Sequence, residues 1–240
     1  GDKPVVEVGG GHGILTSALS DALPNGKVIC LEFDQHCAFE LQNGIGKRKN
    51  VAVIHQDAMT FDWEGLPKGY VVVANIPYQI TSPLINLWTT RLHYQPSSIT
   101  IMVQKEVAQR LTAKPGSSDR GLTTILVELY GTATYVETVP AKAFYPIPKV
   151  DSAIINIQKG KQGETKGSKG VITIVKAGFS SKRRTLENSI SGSLRLPKKT
   201  VRGILEKAEI SPQLRAEDCT IEQWKKLTEI ILWHTQATHR

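Results

Sequence analysis

Cysteine is too scarce in this chain to build with. Cys30, Cys37 and Cys219 are odd in number and contain no C-x-x-C pair, so neither a disulfide framework nor a metal site is expected, and buried free thiols are. Long apolar runs are missing as well. No stretch approaches the roughly 20 residues that cross a bilayer, and the first residues lack a signal-peptide pattern. A membrane role is not expected; a cytoplasmic or organelle-interior location is. Acidic residues, finally, are nearly absent from one segment. Between Lys166 and Lys207 the acids are Glu187 and Glu206, against eleven lysines and arginines, a surplus of nine in a chain of formal charge +8. So one-sided a charge points to a polyanionic partner, nucleic acid above all, with Lys182, Arg183 and Arg184 as its densest cluster.

What is present reads as a globular α/β protein. The 240 residues, 40% of them hydrophobic, suffice for one large domain or one domain with a small appendage. Short apolar runs at Pro4 to Val8, Val28 to Glu32, Val51 to Gln56, Tyr70 to Ala74 and Ser98 to Gln104 alternate with helical patterns at Ile14 to Leu23, from Asp34 onward, at Pro83 to Leu92 and at Lys105 to Leu111. Strands alternating with helices predict a doubly wound, mostly parallel sheet. After a further helix at Thr123 to Tyr130, the alternation of Thr134 to Val139 and Ser152 to Gln158 predicts a closing antiparallel pair, joined by a proline-stiffened loop, Ala143 to Val150. Gly160 to Gly170 reads as a linker. Beyond it Val171 to Arg240 is helical in period, broken at Pro197 and Pro212, with Ser211 a cap candidate.

The chemistry gathers at strand ends. Asn75-Ile76-Pro77-Tyr78 closes the fourth strand, and in open α/β sheets that edge binds ligands. An exocyclic nucleobase amine is a poor nucleophile because its lone pair is conjugated into the ring. Two acceptors aimed at its hydrogens, the Asn75 side-chain oxygen and the Ile76 carbonyl, favour the pyramidal nitrogen that attacks. Pro77 forces Ile76 to be extended, and Tyr78 offers a face for a base to stack on. A plain strand-end turn has the same composition. Glu7-x-Gly9-x-Gly11-x-Gly13 ends the first strand; it lacks the dinucleotide spacing and the phosphate-loop Lys, and suits a cationic ligand with an amino-acid tail. Glu32 ends the second strand, where a carboxylate can take both ribose hydroxyls, and Asp57 ends the third, where it can accept from an adenine amine. Taken together on one rim, these four ends make an S-adenosylmethionine site with an amine acceptor beside it.

The motifs VEVGGGHGILT (Val6 to Thr16), LEFD (Leu31 to Asp34), QDAMTF (Gln56 to Phe61), ANIPYQITSPLI (Ala74 to Ile85) and VQKEVAQRLTAKPGS (Val103 to Ser117) continue in AFYPIPKVDSAI (Ala143 to Ile154), FSSKRRTLENSI (Phe179 to Ile190) and RAED (Arg215 to Asp218). In this set the chain resembles the rRNA adenine dimethyltransferase family, which includes the small-subunit dimethyladenosine transferases. The resemblance implies a seven-stranded class I S-adenosyl-L-methionine-dependent methyltransferase domain at 1–159, a linker at 160–170 and a small α-helical rRNA-recognition domain at 171–240. It implies cofactor contacts at Gly9, Glu32, Asp57 and Asn75, with Glu7, Gly11 and Gly13 shaping the loop, and a target adenine between Tyr78 and Phe144. On composition alone Phe144 reads as a core aromatic. A monomer acting on ribosomal RNA of the small subunit or its precursor is expected. Three features depart from the family pattern. Its cofactor-lidding Gln-Asn-Phe segment is not among these residues, its Tyr-Gly-Arg-Leu-Ser reads Asp119-Arg120-Gly121-Leu122-Thr123, and Gln79 stands for Asn. Two alternatives share the rim motif: a resistance-type methyltransferase of large-subunit rRNA, and a non-catalytic relative of the mitochondrial transcription-factor kind. Thr81-Ser82-Pro83 and the segment from Phe179 to Ser189 favour the small-subunit branch.

Overall fold

Where a ligand can enter is decided by the order in which seven short apolar strands lie side by side. Strands β1 (Val5–Val8), β2 (Val28–Glu32), β3 (Val51–His55), β4 (Val71–Asn75) and β5 (Ser98–Gln104) pair in parallel, while β6 (Gly131–Val139) and β7 (Ser152–Lys159) join antiparallel. The order across the sheet is β3-β2-β1-β4-β5-β7-β6. The chain thus builds outward from β1 to β3 and then returns to the other flank of β1. That reversal is the switch point at which open sheets leave a crevice beyond the strand ends. In this computed structural model, residues 3–160 and 168–238 are described, and for Tyr78, residues 168–169 and residues 235–238 the backbone alone.

The sheet holds through burial: β1 and β2 are covered on both faces and β4, β5 and β7 mainly on one, while β6 stays partly exposed. Val6, Val28, Cys30, Val72, Ile99 and Ile155 have no exposed surface, and each aliphatic side chain so buried contributes about 1.5–3 kcal/mol. Helices α1 (Ile14–Ala22), α2 (Gln35–Asn43), α3 (Thr81–Asn86) and α4 (Lys105–Leu111) follow β1, β2, β4 and β5. Asp34 caps α2 by accepting the Cys37 N–H at 2.8 Å, which holds its carboxyl below the usual value. The helix expected at Pro83 to Leu92 instead begins at Thr81 and gives way to a π turn at Leu87–Arg91. Thr89 and Thr90 bond back to the carbonyls of Ile85 and Asn86 there, at 2.7 Å each, competing with the regular ladder.

Two compact units result, one comprising residues 1–108 and 130–162 and the other residues 109–129 and 163–240. The sequence pattern predicts a change at 160–170; the contacts also group 109–129, with helix α5 (Leu122–Tyr130), in the second unit. Helix α6 (Ser168–Gly178) starts inside the expected linker, whose residues 161–167 lie outside the described ones. With α7 (Leu186–Leu194), α8 (Lys198–Lys207) and α9 (Ile221–Thr238) it surrounds a core of Ile125, Val175, Leu186, Leu205, Trp224 and Leu227. Ser211 caps no helix. Its hydroxyl and carbonyl accept the N–H groups of Gln213 and Leu214, at 3.4 and 3.1 Å, and close a turn. Arg120, in the segment that departs from the family pattern, is wholly buried. Its guanidinium donates to the carbonyls of Glu217, at 3.2 Å, and Cys219, and pairs with Glu128.

Candidate active site

The glycine-rich turn after β1 comes up between the ends of β2 and β4. Gly9 donates to the Leu31 carbonyl at 2.9 Å and takes φ +80°, a region L side chains avoid. A Cβ there would sit 3.4 Å from the Asn75 carbonyl oxygen and 3.9 Å from Pro77 Cδ. Gly11 (φ +51°) has open space where its Cβ would be, and Gly13 (φ +79°) opens α1 in a left-handed conformation. The turn therefore presents bare backbone to the crevice.

Glu32 anchors that turn. One carboxylate oxygen accepts the Gly11 N–H and the other the Asp34 N–H, both at 2.8 Å. Each oxygen keeps a second lone pair for a hydroxyl. Asp57, beyond β3, accepts the Met59 N–H through Oδ1 at 2.8 Å, which fixes its carboxyl at the same edge. Glu7 lies inside, with no exposed surface. Among the described residues neither of its carboxyl oxygens has a hydrogen-bond partner of normal geometry. Burial above all raises its pKa and the nearby Glu32 charge adds to that, while Thr16 and Cys30 beside it pull the other way. Burial, followed by Glu7's charge, likewise pushes the Cys30 thiol up to about 12.

Asn75 ends β4 with an exposed side chain that makes no hydrogen bond among the described residues. Ile76, 1% exposed, pins the next peptide to the core, and Pro77 follows at φ −54°, ψ 131°. The side chain of Tyr78 lies outside the described ones. Phe144 is half-buried and extended after a short turn at Ala141–Ala143, rather than a core aromatic. Since β6 ends and β7 begins opposite the end of β5, with Val139 and Gln104 both paired to Ser152, its loop shares the rim of Asn75. Asp151 ties that loop down, its Oδ1 accepting the Ala141 N–H at 3.0 Å and its backbone carbonyl the Lys105 N–H at 3.0 Å. In the helical unit Lys182, Arg183 and Arg184 are exposed in the turn before α7.

Sequence reasoning passed over three rim features. Phe33, next to Glu32, is 72% exposed, and Tyr145, next to Phe144, is 99% exposed; an aromatic directly after a strand-end acid or before a proline was the available signal. Gly10 cannot carry a side chain because a Cβ would lie 2.3 Å from Cys30 Sγ. A cavity of about 460 Å³ behind the turn, lined by His12, Ser17, Leu41 and Arg48 among others, includes none of Glu32, Asp57 or Asn75. That hollow shares Gly11 and Gly13 with the turn, but none of the three rim side chains. These residues fit a cationic cofactor carrying vicinal hydroxyls: bare glycine backbone, an unpartnered buried carboxyl, and two carboxylates held at the edge with lone pairs to spare.

Known proteins resemble this chain in sequence and fold. Residues 1–232 match the family model described as Ribosomal RNA adenine dimethylase. The Ribosomal RNA small subunit methyltransferase A of Desulfitobacterium hafniense is 37% identical, the match spanning 95% of this chain and 82% of that protein. The protein of the same name from Nostoc punctiforme is 36% identical over 92% and 80%. Among solved structures, a dimethyladenosine transferase from Plasmodium falciparum superposes with TM-score 0.80 at 28% identity, covering 98% of this chain and 90% of that one. The 23S rRNA methyltransferase ErmE does so with TM-score 0.74 at 27% identity, over 95% and 91%.

Proposed function

The chain belongs to the ribosomal RNA adenine dimethylase family, and on that premise we infer that it dimethylates adenine N6 in small-subunit ribosomal RNA, with the reacting amine held at Asn75 and Ile76. It is an S-adenosylmethionine-dependent enzyme. The observation that carries the residue assignment is the pinning of Asn75 beside the glycine turn: its backbone carbonyl and the Gly9 backbone meet where the strand order reverses, and the same residue carries an exposed carboxamide.

S-adenosylmethionine supplies an already activated methyl group on a sulfonium. What remains for the protein is alignment, worth up to roughly 7–11 kcal/mol when reacting atoms are held in line. A single well-placed polar contact contributes about 2.7–4 kcal/mol. Orientation therefore dominates, and general-base catalysis is not needed before attack. In this reading Glu32 receives the ribose hydroxyls and Asp57 the adenine amine of the cofactor, while the backbone of Gly9 and Gly11 admits its amino-acid tail. The Asn75 Oδ1 and the Ile76 carbonyl each accept one hydrogen of the target amine, turning its lone pair toward the methyl group. Ile76 suits this role because its own side chain is locked in the core, so the carbonyl does not drift.

A stacked adenine hides its amine, so the base must be swung out of the RNA. Phe144 supports one face of it, on the same rim as Asn75, and Tyr78 the other. Lys182, Arg183 and Arg184 hold phosphates and position the RNA without reading its bases. The protein works as a monomer on the small subunit or its precursor. Tritiated methyl transfer to undermethylated small and large ribosomal subunits, followed by nucleoside analysis, tests the reading. Dimethyladenosine on small subunits is expected; label confined to large subunits would assign the chain to the activity that ErmE's name describes.

A further inference from the structure

We propose that the hollow between α7 and the start of α8 seats a phosphate of the RNA backbone, with Arg184 and Lys198 as its two charges. The proposal rests on the RNA-substrate reading and locates a contact on the helical unit. A cavity of about 460 Å³ there is lined by Arg184, Asn188, Ser191, Gly192 and Lys198, a volume in the range of small-ligand sites. Apolar side chains are missing from that lining. Asn188, Ser191 and Gly192 fall at i, i+3 and i+4 and so share one face of α7, while Leu186 and Ile190 on the other face enter the core.

The chain is bent to bring the second cation in. Arg195 ends α7 in a left-handed conformation (φ 55°), and Ser191 binds Leu196 twice, its hydroxyl donating to the Leu196 carbonyl at 2.7 Å and its carbonyl accepting the Leu196 N–H at 3.2 Å. Pro197 then starts α8, with Lys198 and Lys199 in the first turn, no acid there and no side-chain cap. Cations at a helix N-terminus oppose the helix dipole. One of them, Lys198, lines the same hollow as Arg184, and an anion between the two offsets their repulsion.

Neighbouring charges explain why no protein group does that service. Glu187, on the buried side of α7, is occupied by Arg202, whose Nε and guanidinium nitrogen reach its two oxygens at 3.0 and 3.2 Å. Arg184 and Lys198 have no ion pair among the described residues. A guanidinium can take two phosphate oxygens and an ammonium a third, with the Asn188 amide as a neutral contact. Exposed Lys182, Arg183 and Lys199 flank the hollow, which favours an extended polyanion over a lone anion.

The test uses the whole chain with Lys198→Glu, Lys198→Ala and Lys198→Arg, measuring binding of a small-subunit rRNA fragment across a salt series. Lys198→Ala should weaken binding on the order of tenfold and lower the salt slope by about 0.7–0.9, one phosphate contact. Lys198→Glu should weaken it further, and Lys198→Arg should keep the wild-type slope. KM for RNA should follow binding while cofactor affinity and the thermal midpoint stay unchanged. Wild-type RNA binding by Lys198→Glu, or inorganic phosphate protecting the site as well as RNA does, overturns the proposal. Should the slope change as expected in a protein that methylates no rRNA, the hollow stands and the functional reading fails.

Discussion

Glu7 and Arg120 are the two charged side chains with no exposed surface at all among the described residues, and they are treated in opposite ways. Arg120, in the helical unit, is engaged through both terminal nitrogens, Nη1 on two backbone carbonyls and Nη2 on the Glu128 carboxylate, and only its Nε lacks a partner among the described residues. Glu7, in the sheet unit, has no partner of normal hydrogen-bond geometry at either oxygen among the described residues, with only Thr16 and Cys30 close by. A buried charge with its partners is part of the structure, whereas a buried carboxyl without them costs stability and persists where something else uses it. On the proposed function, the contrast separates a residue that holds the fold from one reserved for the cofactor.

Removing Arg120 is the largest perturbation the comparison offers. Arg120→Met strands the carbonyls of Glu217 and Cys219 and leaves Glu128 unpaired, so a loss of about 3–5 kcal/mol is expected. Hydrogen exchange should show it as lost protection in α5 and at residues 216–219, with β1 and β4 as internal reference. Arg120→Lys should rescue little, because an ammonium cannot reproduce the fork that reaches all three acceptors. Unchanged protection in Arg120→Met would mean that Arg120, too, is dispensable to the fold, and the contrast would dissolve.

Asn75→Ala perturbs the rim in the complementary sense. The side chain is exposed and makes no hydrogen bond among the described residues, so stability should move by less than about 0.5 kcal/mol, while methyl transfer should fall by roughly 100- to 1,000-fold, the cost of one lost acceptor at a reacting centre. Single-turnover methylation with saturating cofactor measures it. Wild-type turnover in Asn75→Ala would leave the strand end as a simple turn.

The two residues also differ in how well they could be read from the chain. The rim was legible because each of its parts stands at the end of a short apolar run. Val71 to Asn75 and Val28 to Glu32 announce strands by β-branched density, and a parallel sheet gathers their ends on one edge. Arg120 was illegible: amid Ser118, Asp119 and Gly121 it reads as a solvated loop cation, and its acceptors arrive from almost a hundred residues on. The same holds for Gly10, whose constraint is the Cys30 sulfur on the neighbouring strand. The helical unit's share of the chain was half legible. Periodicity marks 171–240 as helical with breaks at Pro197 and Pro212, without separating α6 to α9; that residues 109–129 group with them follows from packing against residues such as Trp224 and Leu227, which no local pattern reports.

Glu7→Gln is the subtlest change, and it reads the waiting carboxyl directly. Burial raises Glu7's folded pKa above 4.5, so its contribution to stability is fully present below the unfolded value and is lost as pH rises through the folded one. Without cofactor, wild type should therefore lose stability relative to Glu7→Gln as pH climbs from 4.5, the two profiles running parallel below it. A cationic ligand beside the carboxyl reverses the preference, favouring the charged form. Binding of S-adenosylmethionine should then release a proton and tighten with rising pH in wild type, while Glu7→Gln shows a flat profile. Calorimetric titration in buffers of different ionisation enthalpy measures that proton. Equal release from both proteins would place the titrating group elsewhere and make Glu7, like Arg120, a matter of architecture alone.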